Sequence, residues 1–174
     1  MAESSADVIK RYVVDAIAGG KSLETRLEEF SKEASSEAVR AVFHQHALKM
    51  KEQAERWTAR LNGLEGNAPL AKGFRAFIFG LTPRHASLGS EKEESTAQRL
   101  ALVYAAENSA VAVYESLATM AEAAGDTETA QLASSIQSEE QAMAQEIWKL
   151  LPAGALEAYQ QATGEPPSGR SAGA

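Results

Sequence analysis

No cysteine occurs anywhere in the chain, which excludes disulfides, thiolate metal sites, iron–sulfur clusters and cysteine nucleophiles. Proline is scarce, five in 174 residues, so long stretches lack the residue that most disrupts a helix. Aromatic side chains make up only 6%, and a core must therefore be built mainly from aliphatic residues. No apolar run approaches the roughly 20 residues of a membrane span. The start, Met1-Ala2-Glu3-Ser4-Ser5, lacks the basic-then-apolar order of a signal peptide. The expectation is a cytoplasmic protein with no membrane partner. Excess positive charge is missing as well: the net charge is −7. Binding nucleic acid non-specifically needs basic surface to neutralise phosphates, so no nucleic-acid partner is expected.

What is present is alanine in abundance, with Glu and Leu next among the strong helix formers. A first helix is predicted from Ser5 or Asp7 to about Ala34, with Ser4, Ser5 and Asp7 as candidate caps. Its stripe is Ile9, Val13, Ala16, Gly20, Leu23, Leu27 and Phe30, the alternating three- and four-residue spacing of a bundle seam. Gly19-Gly20 marks a candidate kink. Ser35-Ser36 is a turn, and a second helix is expected from Glu37 to about Leu64, stopped at Asn62-Gly63. Its inner line reads Val39, Val42, His46, Lys49, Gln53, flanked by Phe43, Met50, Trp57 and Leu64. Residues 65–92 form a long crossover, with a short apolar helix predicted over Ala71–Gly80. A third helix runs from near Glu91 to Ala124 along Leu100, Val103, Glu107, Ala110, Tyr114, Leu117 and Ala121. A fourth, capped at Gly125-Asp126, carries Leu132, Ile136, Glu139, Met143, Ile147 and Leu150 until Pro152 stops it, and a separate short helix is expected over 154–163. Residues 1–162 thus read as one all-α, antiparallel four-helix bundle, and 163–174, rich in Gly, Pro and Ser, as a disordered tail. One long crossover is ferritin-like connectivity, whereas a simple up-down bundle has only short loops.

The seams are apolar except near their middles, where His46, Lys49 and Gln53 on the second helix meet Glu107 on the third and Glu139 or Glu140 on the fourth. Charged groups on a buried seam are costly unless paired or metal-bound. Carboxylates and an imidazole from separate helices are the raw material of a non-haem metal site. A ferritin-like di-iron centre takes one Glu from each of two helices and Glu-x-x-His from each of the other two, and this sequence contains no Glu-x-x-His. Lys49 brings a cation to the same level, and the expected arrangement is a buried ion-pair cluster of Lys49 with Glu107 and Glu139. His44 and His85 have no visible partner, and neither a nucleophile elbow nor a phosphate loop appears.

Several segments resemble ferritin-like proteins of the YciF type. Ala106-Glu107-Asn108 through Tyr114-Glu115-Ser116-Leu117 and Ala121-Glu122-Ala123-Ala124-Gly125-Asp126 resemble that family's third helix and turn. Ser138-Glu139-Glu140 is similar to its paired glutamates, and His46, eleven residues before Trp57, to its helix-two histidine. The resemblance covers residues 8–151. It implies a ferritin-like bundle, often dimeric, linked to bacterial stress responses and carrying a metal site, with His46, Glu107 and one of Glu139 or Glu140 as the ligands carried over. Three departures count against that site: Gly20, Lys49 and Ala110 stand where the family has carboxylates. The resulting expectation is a homodimer with a degenerate metal site and no cofactor, acting as a non-catalytic stress-related, interaction or structural protein with no identified small-molecule substrate. The alternative is a metal-dependent oxidase or peroxide-handling protein with an atypical mono- or di-metal site of iron or manganese.

Overall fold

The structure is a computed structural model that describes residues 3–64 and 94–165. Among these residues are four helices: α1 (Ser5–Glu33), α2 (Glu37–Asn62), α3 (Glu94–Ala123) and α4 (Thr127–Thr163). The whole crossover 65–92, with the expected helix at Ala71–Gly80, and the last residues of the tail lie outside the described residues. No described helix is long and apolar enough to cross a membrane.

The helix ends follow local chemistry. Ser4 caps α1 by accepting from the Asp7 amide at 3.1 Å. At the end of α3, Gly125 adopts φ 76°, a left-handed conformation that costs glycine little. The Asp126 amide then reaches back to the Ala121 carbonyl at 2.8 Å, closing a Schellman turn. Asp126 at once caps α4 by accepting from the Thr129 amide at 3.0 Å.

The turns at 34–36 and 124–126 are too short for anything but antiparallel hairpins, α1 with α2 and α3 with α4. Ion pairs fix how the hairpins face each other. Arg99 on α3 pairs with Glu33 on α1, and Arg60 at the end of α2 pairs with Asp126 at the start of α4 at 2.6 Å. Each helix is therefore antiparallel to its partner across the hairpins. His46 meets Glu107 and Trp57 stacks on Tyr114, so α2 and α3 run parallel, the order that one long crossover produces.

Two sequence expectations change. Gly19-Gly20 does not break α1, which runs through both; a Cβ at Gly20 would lie 4.0 Å from the Met50 carbonyl oxygen, so α1 rides close to α2 here. Pro152 does not stop α4, and the expected separate helix is its continuation. That last stretch is held from outside: Gly154 packs so tightly on α3 that a Cβ would come within 2.7 Å of Leu100 Cδ1, and Ser35 donates to Glu157 at 2.9 Å. Tertiary contacts of this kind compensate for the hydrogen bond that a proline removes.

The core falls into two apolar clusters. One gathers Ile9, Val13, Trp57, Tyr114, Leu117 and Ile136; the other gathers Leu27, Phe43, Leu100, Val103, Met143 and Ile147. The buried polar residues His46, Gln53, Glu107 and Glu140 form a layer at mid-bundle.

Candidate functional site

Each member of the layer comes from an inward heptad position. On α2 the buried line is Val39, Phe43, His46, Met50, Gln53 and Trp57. Lys49, expected on that line, is displaced from it because Phe43 and Met50 offer more apolar area than Val42 and Lys49 to the same seam. The ammonium of Lys49 sits half-exposed and pairs with Glu52 at 3.0 Å. It forms no buried pair with Glu107 or Glu139, although its charge is felt at Glu139. On α3, Glu107 is fully buried, as its seam requires. On α4 the inward residue of the glutamate pair is Glu140, only 1% exposed, and Glu139 lies on the edge facing α2.

His46 is at the centre. Its Nδ1 lies 2.7 Å from Glu107 Oε1 and its Nε2 3.1 Å from Glu146 Oε2. Each ring nitrogen therefore faces a carboxylate oxygen, one from α3 and one from α4. Burial alone would lower the His46 pKa, but Glu107 and Glu146 outweigh it and hold it above its ordinary value. Burial raises the Glu107 pKa, against the hydrogen bond from His46.

The adjacent glutamates differ. Glu139 accepts from Arg56 at 2.6 Å and from Gln53 Nε2 at 3.1 Å; burial works against its ionisation, yet these partners hold its pKa below the usual value. Glu140 has no hydrogen-bond partner for either oxygen among the described residues. Burial, then the charges of Glu107 and Glu139, push its pKa well up, against a smaller opposing effect of Gln53. Burial of this kind disfavours the charged form of a carboxyl. The pKa of the buried Tyr114 hydroxyl is likewise pushed up, chiefly by burial.

Glu146 and Arg56 were not singled out in the sequence. A signal for Glu146 exists: it lies seven residues after Glu139, as Gln53 does after His46. In antiparallel order these two heptad pairs meet, His46 with Glu146 and Gln53 with Glu139.

The residues do not fit a ferritin-type di-metal centre. No three His, Asp or Glu side chains among the described residues are grouped to hold a metal ion, and the one inward histidine has both nitrogens occupied.

The fold and its mid-bundle polar layer define a ferritin-like four-helix bundle. Residues 7–160 match the family described as Domain of unknown function (DUF892), and the chain belongs to that family. The Escherichia coli stress protein YciF has a similar structure, with a TM-score of 0.75 at 24% identity over 88% of this chain and 98% of that one. A protein from Xanthomonas campestris pv. campestris gives 0.72 at 21% identity, over 91% of this chain and 97% of that one. No curated protein matched the sequence.

Proposed function

We propose that this protein is a non-catalytic member of the ferritin-like class, acting as a structural or interaction protein, in which a charge-balanced polar layer stands in place of a metal centre. The observation that carries the reading is His46: both of its ring nitrogens are engaged by carboxylates, Nδ1 by Glu107 and Nε2 by Glu146, which leaves neither directed at an open coordination position. The charges support it. His46 offsets Glu107, Arg56 offsets Glu139, and burial disfavours a charge on Glu140, so no dication is needed for balance. A role in bacterial stress, a cytoplasmic location and a homodimer belong to the same proposal; the likeness of fold to a protein titled a stress protein supports the first. Metal analysis of protein purified without chelators tests it: sub-stoichiometric metal is expected. Stoichiometric iron, manganese or zinc that disappears in His46→Ala contradicts it.

A second reading has one observation in its favour. Glu107 Oε2 and both oxygens of Glu140 are buried without hydrogen-bond partners among the described residues, and a single cation could satisfy them. This is the metal-dependent oxidase or peroxide-handling alternative, and the same metal analysis separates the two.

A further inference from the structure

Gln53 occupies a position that matters beyond its own hydrogen bond. It is 2% exposed and donates from Nε2 to Glu139 Oε2 at 3.1 Å. It also faces Glu140, whose oxygens, like Glu107 Oε2, have no hydrogen-bond partner among the described residues. Two adjacent carboxyl groups of α4 thus face one amide of α2, with Glu107 of α3 acting on Glu140 from the other side. Glutamine has the length and shape of glutamate but presents an N–H donor where glutamate would present an anionic oxygen.

We propose that Gln53 is the residue that keeps this layer free of a divalent cation. Its amide hydrogen satisfies Glu139 Oε2, the oxygen that the Arg56 guanidinium leaves open, without a bound ion. Its neutrality leaves the layer one anionic ligand short of a site for a hard, oxygen-seeking ion such as Mn²⁺. The inference rests on the reading of the layer as metal-independent. It names the position at which that independence is set and the class of ion it excludes.

The consequence is specific. Gln53→Glu changes no volume, removes the donor to Glu139 and adds one negative charge against Glu107, Glu139 and Glu140. Like charges at this spacing disfavour the folded state unless a cation joins them, and the unpartnered oxygens of Glu107 and Glu140 become ligands for it. Gln53→Leu removes the amide without adding a ligand.

The test is Mn²⁺ titration of the full chain by calorimetry, with thermal melts in EDTA and in Mn²⁺. Wild type and Gln53→Leu are expected to melt at the same temperature in both, while Gln53→Glu binds Mn²⁺ saturably. At 100 times its Kd, Mn²⁺ raises the melting temperature of Gln53→Glu by roughly 5–10 °C. A Gln53→Glu chain that refolds only with Mn²⁺ also supports the proposal. Gln53→Glu that folds without binding Mn²⁺, or refolds neither with nor without it, overturns the proposal, as does saturable binding by Gln53→Leu. Saturable, stoichiometric binding by wild type instead overturns the underlying reading.

Discussion

Glu139 and Glu140 are neighbours in the chain and opposites in environment. Glu139 lies on the outer α2–α4 seam, where Arg56 and Gln53 hold it ionised. Glu140, one residue further, turns into the inner layer, and burial and the nearby Glu107 push its pKa well up. The outer seam is a row of cation–carboxylate pairs, Arg56 with Glu139 and Arg60 with Asp126. The inner layer sets one histidine among more carboxyl groups than it can neutralise as anions. The outer seam joins helices, whereas the inner layer stores protons. A pH change therefore acts on the two with opposite sign.

The largest expected effect is in the inner layer. Glu107→Ala leaves the buried His46 without its closer carboxylate and is expected to cost about 3–5 kcal/mol, read from urea unfolding at pH 7. A loss below about 1 kcal/mol would mean that the layer is wetter than this geometry implies.

Next is Glu140→Gln, a change that keeps the neutral form at every pH. The folded Glu140 holds its proton more tightly than the unfolded chain does. Its contribution to stability is therefore full below the ordinary carboxyl pKa and is lost as pH rises through the raised folded value. Glu140→Gln is expected to stabilise the protein at pH 8 by about 1–3 kcal/mol and to leave it unchanged near pH 4. His46, also raised, follows the same sign, losing its contribution as pH rises through its own folded value. Glu139 and Asp126 are lowered, so their contribution is present above the ordinary carboxyl pKa and fades as pH falls through their folded values. Melting temperatures of the variant and wild type from about pH 2 to pH 8 check both halves.

The outer seam should respond less. Arg60→Ala removes partners from Asp126 and Thr129 at the cap of α4, with an expected loss of about 1–2 kcal/mol. Lys49→Ala breaks only the exposed pair with Glu52 and should change stability by no more than about 0.5 kcal/mol. A buried Lys49 pair would cost several times that, so this substitution distinguishes the observed placement from the one the sequence suggested.

Much of the bundle was legible because its seams repeat. On α3 every expected inward position from Leu100 to Ala121 is buried or half-buried, and the caps at Ser4 and Asp126 announce their helices. The site was legible only in part. Alternating three- and four-residue spacings admit two adjacent lines, and polar residues do not say which one wins. On α2 the bulk of Phe43 and Met50 pulled Lys49 off the seam. On α4, with Ile136 and Met143 inward on either choice, the pair Glu139-Glu140 could be resolved only by the rotation of the helix. Glu146 sits half in solvent, and its contact with His46 spans 100 residues of sequence. Nothing local marks it; only its heptad spacing from Glu139 and the antiparallel match to His46 and Gln53 do. The continuation past Pro152 was hidden for a related reason, since Gly154 against Leu100 is a contact between helices.

The central claim is that the layer is balanced by its own side chains. The most direct measurement is the melting temperature of the wild-type chain at pH 7, recorded by calorimetry after dialysis against EDTA and again with excess Mn²⁺ or Fe²⁺ under anaerobic conditions. The account predicts the same transition in all three. A rise of several degrees with either metal, abolished in Glu140→Gln, would contradict it.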